Sequence, residues 1–209
     1  MKNPWLDIPL SDYEGHMALP HIVQAQLLSD VFAGALKEFS PQSVAVLGCA
    51  GGNGFDRISP EITKRVIGMD INPEYVQEAR RRFDDRIPSL ELFVGDIQTE
   101  SFIFSPVDIV FAGLLFEYVD VNIVLAKTRS MLTANGRLVS VVQLPNAVIP
   151  DVTPSPYKSL RALVMHFVPP ALLERLAAVH GYKQADSRVV ESTGGKQFQV
   201  QTFFLMAPR

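Results

Sequence analysis

The stretch VAVLGCAGGNG, Val44 to Gly54, follows an apolar run with four glycines and an alanine inside the seven residues 48–54. Bare backbone at the end of a buried strand lets a ligand lie against the chain, because glycine reaches positive φ and carries no Cβ. A triphosphate loop of the GxxxxGK[ST] type does not fit, since Phe55 follows the last glycine. A dinucleotide loop needs GxGxxG, but counting from Gly48 the third and sixth places are Ala50 and Asn53. What fits is a nucleoside ligand without a pyrophosphate. The competing reading is a tight strand-to-helix connection that holds nothing.

Two carboxylates extend the pattern. Asp70 closes the apolar run RVIGMD, where a carboxylate can accept hydrogen bonds from both hydroxyls of a ribose. Its other role is as a turn residue before Asn72-Pro73. Asp96 closes LELFVGD, placed to meet an adenine amino group while Ile97 packs on the ring, or else to cap the following turn.

These residues need a scaffold that gathers strand ends. Residues 43–48, 65–70, 90–96, 106–113 and 137–144 read as strands, several of them continuous and β-branched as in a sheet covered on both faces. Helices alternate with them. One runs over 20–39 behind Pro20, with Leu28, Val31, Phe32, Ala35, Leu36 and Phe39 on one face. Another follows Asn72 as cap and Pro73 in its first turn, and a third follows Asp120 and is ended by Gly136. A proline-rich stretch over 146–170 has no single period and reads as an inserted lid. A helix over 170–181 and two strands, 183–191 and 196–206 around STGG, complete the chain. The expected fold is α/β: a Rossmann-like, seven-stranded, mostly parallel, doubly wound sheet with a C-terminal antiparallel hairpin. One domain over 1–209 is expected, with a helical cover over 1–40, a binding core over 41–145, the lid, and a C-terminal helix and hairpin over 171–209.

Composition narrows the partners. The 209 residues are 47% hydrophobic and 20% charged, ordinary for a globular protein, with a net charge of −3. The one basic run, Arg80 to Arg82, falls on a helix and reads as a solvated face, so no nucleic-acid partner is expected. One cysteine, Cys49, allows no internal disulfide and no thiolate-only zinc site, and no metal is expected. No apolar run approaches the ~20 residues of a membrane span, and no signal peptide is evident, so the expected location is cytoplasmic without membrane attachment.

The successive motifs LGCAGGNG, MDINPE, VGDI and DIVFAG with LLFEYVD resemble those of the class I methyltransferases that use S-adenosylmethionine, over about residues 40–209. The resemblance implies that the loop holding Gly48, Cys49, Ala50 and Gly52 passes the methionine part of that cofactor. It further implies that Asp70 holds the ribose, that Asp96 with Ile97 flanks the adenine, and that Ile71 and Gly113 belong to the same cofactor site. Two departures stand out: many members carry an acidic residue where this chain has Val46, and Ala50 replaces the middle glycine of their GxGxG.

Methyl transfer from a sulfonium needs positioning and dryness before it needs a catalytic side chain. A base becomes necessary when the acceptor must lose a proton. Tyr13 and His16 in DYEGHM are the candidates, and they resemble the N-terminal cover residues of some small-molecule methyltransferases; Glu14, Glu117, Tyr118 and His166 lie in segments expected to cover the site. The family signature for nucleic-acid and protein amino groups, Asn or Asp followed by two prolines and an aromatic, is absent where the chain reads AGLLFEY. A small-molecule acceptor is therefore expected, with Trp5, Tyr13, Phe116, Tyr118 and Tyr157 available for an apolar pocket. The alternatives are a non-catalytic module that binds the cofactor or its demethylated product and acts through a protein partner, and a nicotinamide-dependent oxidoreductase, which the loop spacing disfavours.

Overall fold

The computed structural model describes residues 3–206. A short 3-10 turn, Pro4–Asp7, leads into α1 (Leu10–Met17) and α2 (Gln24–Phe39). The sheet is then built by β1 (Ser43–Leu47), β2 (Arg65–Asp70), β3 (Leu90–Val94), β4 (Val107–Gly113) and β5 (Leu132–Gln143), with α3 (Pro73–Phe83) after β2 and α4 (Val121–Met131) after β4. Finally α5 (Pro170–Val179) precedes β6 (Tyr182–Glu191) and β7 (Gln197–Leu205). The strand order is β3-β2-β1-β4-β5-β7-β6, parallel as far as β5 and antiparallel at β7 and β6. The sheet is the expected one.

Period-two alternation sorts β1 between two cores. Val44 and Val46 pack with Leu28, Val31 and Phe32 of α2 on one face. Ala45 and Leu47 pack with Val124 and Leu125 of α4 and Leu173 of α5 on the other. Asn72 caps α3 by accepting the Glu74 N–H at 3.0 Å, and Asp120 caps α4 by accepting that of Ile123 at 3.1 Å.

The two largest boundary differences from the sequence reading fall at helix ends. The first long helix begins at Gln24 rather than Pro20, because residues 18–23 turn back after α1 and Val23 sits at φ 49°. Gly136 does not end α4. That helix stops at Met131, and Leu132 enters the sheet opposite Val107, with a register shift taken up between Val107 and Ile109. The 146–170 segment contains one 3-10 turn, Lys158–Ala162, seated on α1 through a 2.6 Å bond from the Ser159 hydroxyl to Asp12.

Candidate functional site

Strand order reverses between β1 and β4, and the crevice beyond their C-terminal ends is where ligands sit in such sheets. A cavity of about 740 Å³, part of it open to solvent, occupies that crevice. Gly48 holds φ +66°, and a Cβ added there would meet only Leu115 Cδ1, at 3.5 Å. The missing side chain thus leaves a cradle that even a methyl group would begin to fill.

Asp70 lies at the cavity wall and is 9% exposed. Its Oδ2 accepts the Ala50 N–H and its Oδ1 the Asn72 N–H, each at 2.9 Å. Each oxygen keeps a second acceptor position. Burial pushes the carboxyl up to about 6, against the pull of the Asn72, Ala50 and Ile71 backbone donors, so it is mainly ionised at neutral pH. A carboxylate held this way fits a pair of adjacent hydroxyls.

Ile71, Asp96, Ile97 and Gly113 line the same cavity. Asp96 also serves the turn after β3, accepting the Gln98 N–H at 2.8 Å on Oδ1, so the capping role and the cavity position coexist. Cys49 and Gly52 do not line this cavity. The Cys49 thiol is buried beneath the loop beside Val46 and Phe111, and burial pushes it well above its ordinary value. Gly52, at φ +88°, is needed for packing: a Cβ there would stand 2.6 Å from Phe83 Cε2. Val46, where an acid is common in the resembling family, is core.

A second cavity adjoins the first, and Trp5, Tyr13, Leu114 and Tyr118 line both. The rings of that shared wall brace one another: Trp5 stands edge-on to Tyr13 at 5.6 Å and to Tyr118 at 5.1 Å between centroids. Behind the wall the chamber gathers His16, Gln24, Gln143 and Lys196 among apolar side chains such as Met17 and Leu160. Of the other aromatics, Phe116 is core, and Tyr157 packs over Gly15 outside both cavities. His166 is exposed.

The ionisable candidates divide by environment. Burial and the nearby Asp70 carboxylate push the Tyr13 phenol far up, which keeps its proton in place at neutral pH. Burial, with Lys196 adding repulsion, moves His16 down, so its imidazole is neutral there. His16 Nδ1 is buried without a hydrogen-bond partner. Glu117 is 1% exposed, accepts the Gln143 N–H at 2.7 Å, leaves Oε2 unpaired, and is pushed up to about 7 by burial. It lines neither cavity and braces the end of β5 instead.

Gln24, Gln143 and Lys196 were invisible to motif reading because no local pattern marks them. Only the insertion of β7 beside β5 brings Lys196 next to Gln143, and only tracing that topology would have found the pair.

Residues 44–136 match a family model described as a methyltransferase domain. An uncharacterized 37.1 kDa protein in transposon TN4556 of Streptomyces fradiae is 31% identical over 118 residues, 55% of this chain and 34% of that protein. The match therefore spans about a third of that relative's length. Among solved structures, the N-methyltransferase NodS of Bradyrhizobium japonicum, in complex with S-adenosyl-L-homocysteine, matches with TM-score 0.64 at 16% identity, over 99% of this chain and 94% of its own. A TehB-like methyltransferase of Corynebacterium glutamicum matches with TM-score 0.60 at 17% identity, over 83% and 86%. The [4+2]-cyclase SpnF matches with TM-score 0.67 at 12% identity, over 88% and 82%. At such identities the likeness establishes the fold.

Proposed function

We propose that this chain, whose residues 44–136 belong to the methyltransferase-domain family and whose fold is that of the class I S-adenosylmethionine-dependent methyltransferases, transfers a methyl group from S-adenosylmethionine to a small molecule. The observation that carries this reading is the pair of adjoining cavities, one with nucleoside-binding features and one closed by α1 and the 146–170 segment, with a single aromatic wall between them.

The residues fit the cofactor. Asp70 would accept from its ribose, Ile71 and Ile97 would flank its adenine with Asp96 at the rim, and Gly48 and Ala50 would border its methionine part. When bound, the cofactor supplies an activated methyl group on a cationic sulfur. The chain's own task would be to orient the acceptor toward that methyl group and to keep water out. Trp5, Tyr13 and Tyr118 serve the second purpose.

An acceptor that reacts through a hydroxyl or a carbon acid must shed a proton. His16, neutral and lining the acceptor chamber, is the group suited to receive it; Tyr13 keeps its own proton and covers the site. A cytoplasmic setting suits a chain whose sole cysteine is held as a buried thiol.

Calorimetric titration with S-adenosylmethionine, S-adenosylhomocysteine and NADH tests the cofactor, and release of S-adenosylhomocysteine across an acceptor panel tests the activity. Binding of both sulfur nucleosides with turnover is expected. Binding without turnover on any acceptor would favour a cofactor-binding module, and binding of NADH alone would overturn the reading.

A further inference from the structure

Lys196 is 5% exposed at the wall of the acceptor chamber. Its ammonium donates to the Asp151 backbone carbonyl at 2.6 Å and reaches Gln143 Oε1 at 3.5 Å. Both acceptors are neutral. No carboxylate among the described residues forms an ion pair with it; the Asp151 side chain is exposed and attracts it only at longer range. A buried lysine is normally paired with an acid, because burial penalises its charge. Here burial lowers it to about 8, and it still carries its charge through neutral pH.

Beyond the exposed Asp151, which also lines the chamber, the neighbouring groups supply no counter-charge. His16, on α1, is held neutral, in part by Lys196 itself. Gln24 donates to the same Gln143 Oε1 at 3.4 Å, so the amide that faces Lys196 is already shared. His16 Nδ1, buried and without a hydrogen-bond partner, belongs to the same chamber's lining. Around this cluster the surface is apolar, with Met17, Leu160, Leu163 and Met165 among it. The chamber therefore combines one cation with no carboxylate in ion-pair contact among the described residues, amide groups and an oily wall.

We propose that the methyl acceptor is an amphipathic carboxylic acid whose carboxylate is anchored by Lys196, with its apolar body against Met17 and Leu160. This deepens the methyltransferase reading and rests on it. A single positive charge matches a monoanion rather than a phosphate dianion. Lys196 and Gln143 line only the acceptor chamber and not the nucleoside cavity. The carboxylate is thus an anchor at the far end of the acceptor, and another atom of the molecule faces the methyl group across the aromatic wall.

The test is calorimetric titration of the protein saturated with S-adenosylhomocysteine, using benzoate, phenylacetate and octanoate, each against its primary amide, with phenyl phosphate as a further probe. At least one acid is expected to bind tenfold or more tighter than its amide. Because the acids stay ionised while Lys196 loses its proton, that margin should shrink as pH rises from 7 to 9.5. Lys196→Met should remove the margin and Lys196→Arg should retain it, while affinity for S-adenosylhomocysteine, which does not touch Lys196, stays unchanged in both. That unchanged affinity also shows the variants folded. Equal binding of acids and amides, a margin that survives Lys196→Met, binding of phenyl phosphate alone, or no binding of any acid would each overturn the proposal. Acid binding without any affinity for S-adenosylhomocysteine would instead overturn the methyltransferase reading beneath it.

Discussion

Gly48 and Gly52 stand four residues apart in one loop, both at positive φ, and they serve different ends. At Gly48 an alanine finds open space beside the cavity, so Gly48→Ala should cost about 1 kcal/mol of stability from backbone strain alone while weakening nucleoside binding tenfold or more. At Gly52 the same change drives a methyl into Phe83, so it should cost more stability, about 2–3 kcal/mol, with binding falling only as the loop shifts. Chemical denaturation and calorimetry on the two variants separate the effects; equal outcomes would contradict the assignment. Asp70 makes a prediction of its own sign. Its carboxyl must be ionised to accept two hydroxyls, so S-adenosylhomocysteine affinity should fall as pH drops below about 6, and Asp70→Asn should bind weakly with that dependence gone. At this scale much was legible: glycine density and an acid at a strand end need only local sequence. Which glycine faces the cavity was not, because that depends on where Phe83 and Leu115 come to lie.

At the scale of elements, the cover is the part that has to move for ligands to enter. Four ties hold α1 and the turn before it over the nucleoside cavity. Arg82 of α3 pairs with Glu14, bonding Oε2 at 3.0 Å, and the Tyr75 hydroxyl donates to the Ile8 carbonyl at 2.9 Å. Asn72 Nδ2 donates to the Trp5 carbonyl at 2.9 Å, and Ser159 holds Asp12. The Arg82–Glu14 pair is partly exposed, so Arg82→Ala should lower global stability by no more than about 1 kcal/mol. Its effect should appear in kinetics: S-adenosylhomocysteine should dissociate several-fold faster, read by stopped-flow fluorescence of Trp5, the sole tryptophan, which lines the cavity. An unchanged rate would mean that the cover opens elsewhere. The amphipathic period of α2 and the Asn72-Pro73 start of α3 announced those helices in sequence. LSDYEGHM did not announce α1, since Gly15 and its mixed polarity blur any face, and its helix depends on the packing it makes with α2 and the 158–162 turn.

For the whole molecule, three buried ionisable groups carry their charge at a cost, and their windows overlap near neutral pH. Asp70 and Glu117 have folded values of about 6 and about 7, above the ordinary 3.8 and 4.5. A raised carboxyl binds its proton more tightly folded than unfolded, so stability falls as pH rises through these windows and the loss is complete above them. Lys196 runs the other way: with a folded value of about 8 against 10.5, its cost is present in full below 8 and relieved as pH climbs toward 10. Each group costs roughly 3 kcal/mol when charged, by the shift alone. His16, moved down, gives back part of the gain on the acid side, but the relief of Glu117 by pH 5.5 exceeds it. The ligand-free protein should therefore melt at a lower temperature at pH 7.5 than at pH 5.5, while on the alkaline side Cys49 and Tyr13, also pushed up by burial, work against the relief of Lys196. Glu117→Gln keeps the acceptor for the Gln143 N–H and removes a charge that nothing in either cavity uses, so it should raise the pH 7.5 melting temperature by several degrees and flatten the acid limb. S-adenosylhomocysteine together with a carboxylic acid should raise the pH 7.5 melting temperature from the other side, by supplying hydroxyls to Asp70 and an anion to Lys196. A melting temperature no lower at pH 7.5 than at pH 5.5 would show that Asp70 and Glu117 are not held as the fold implies.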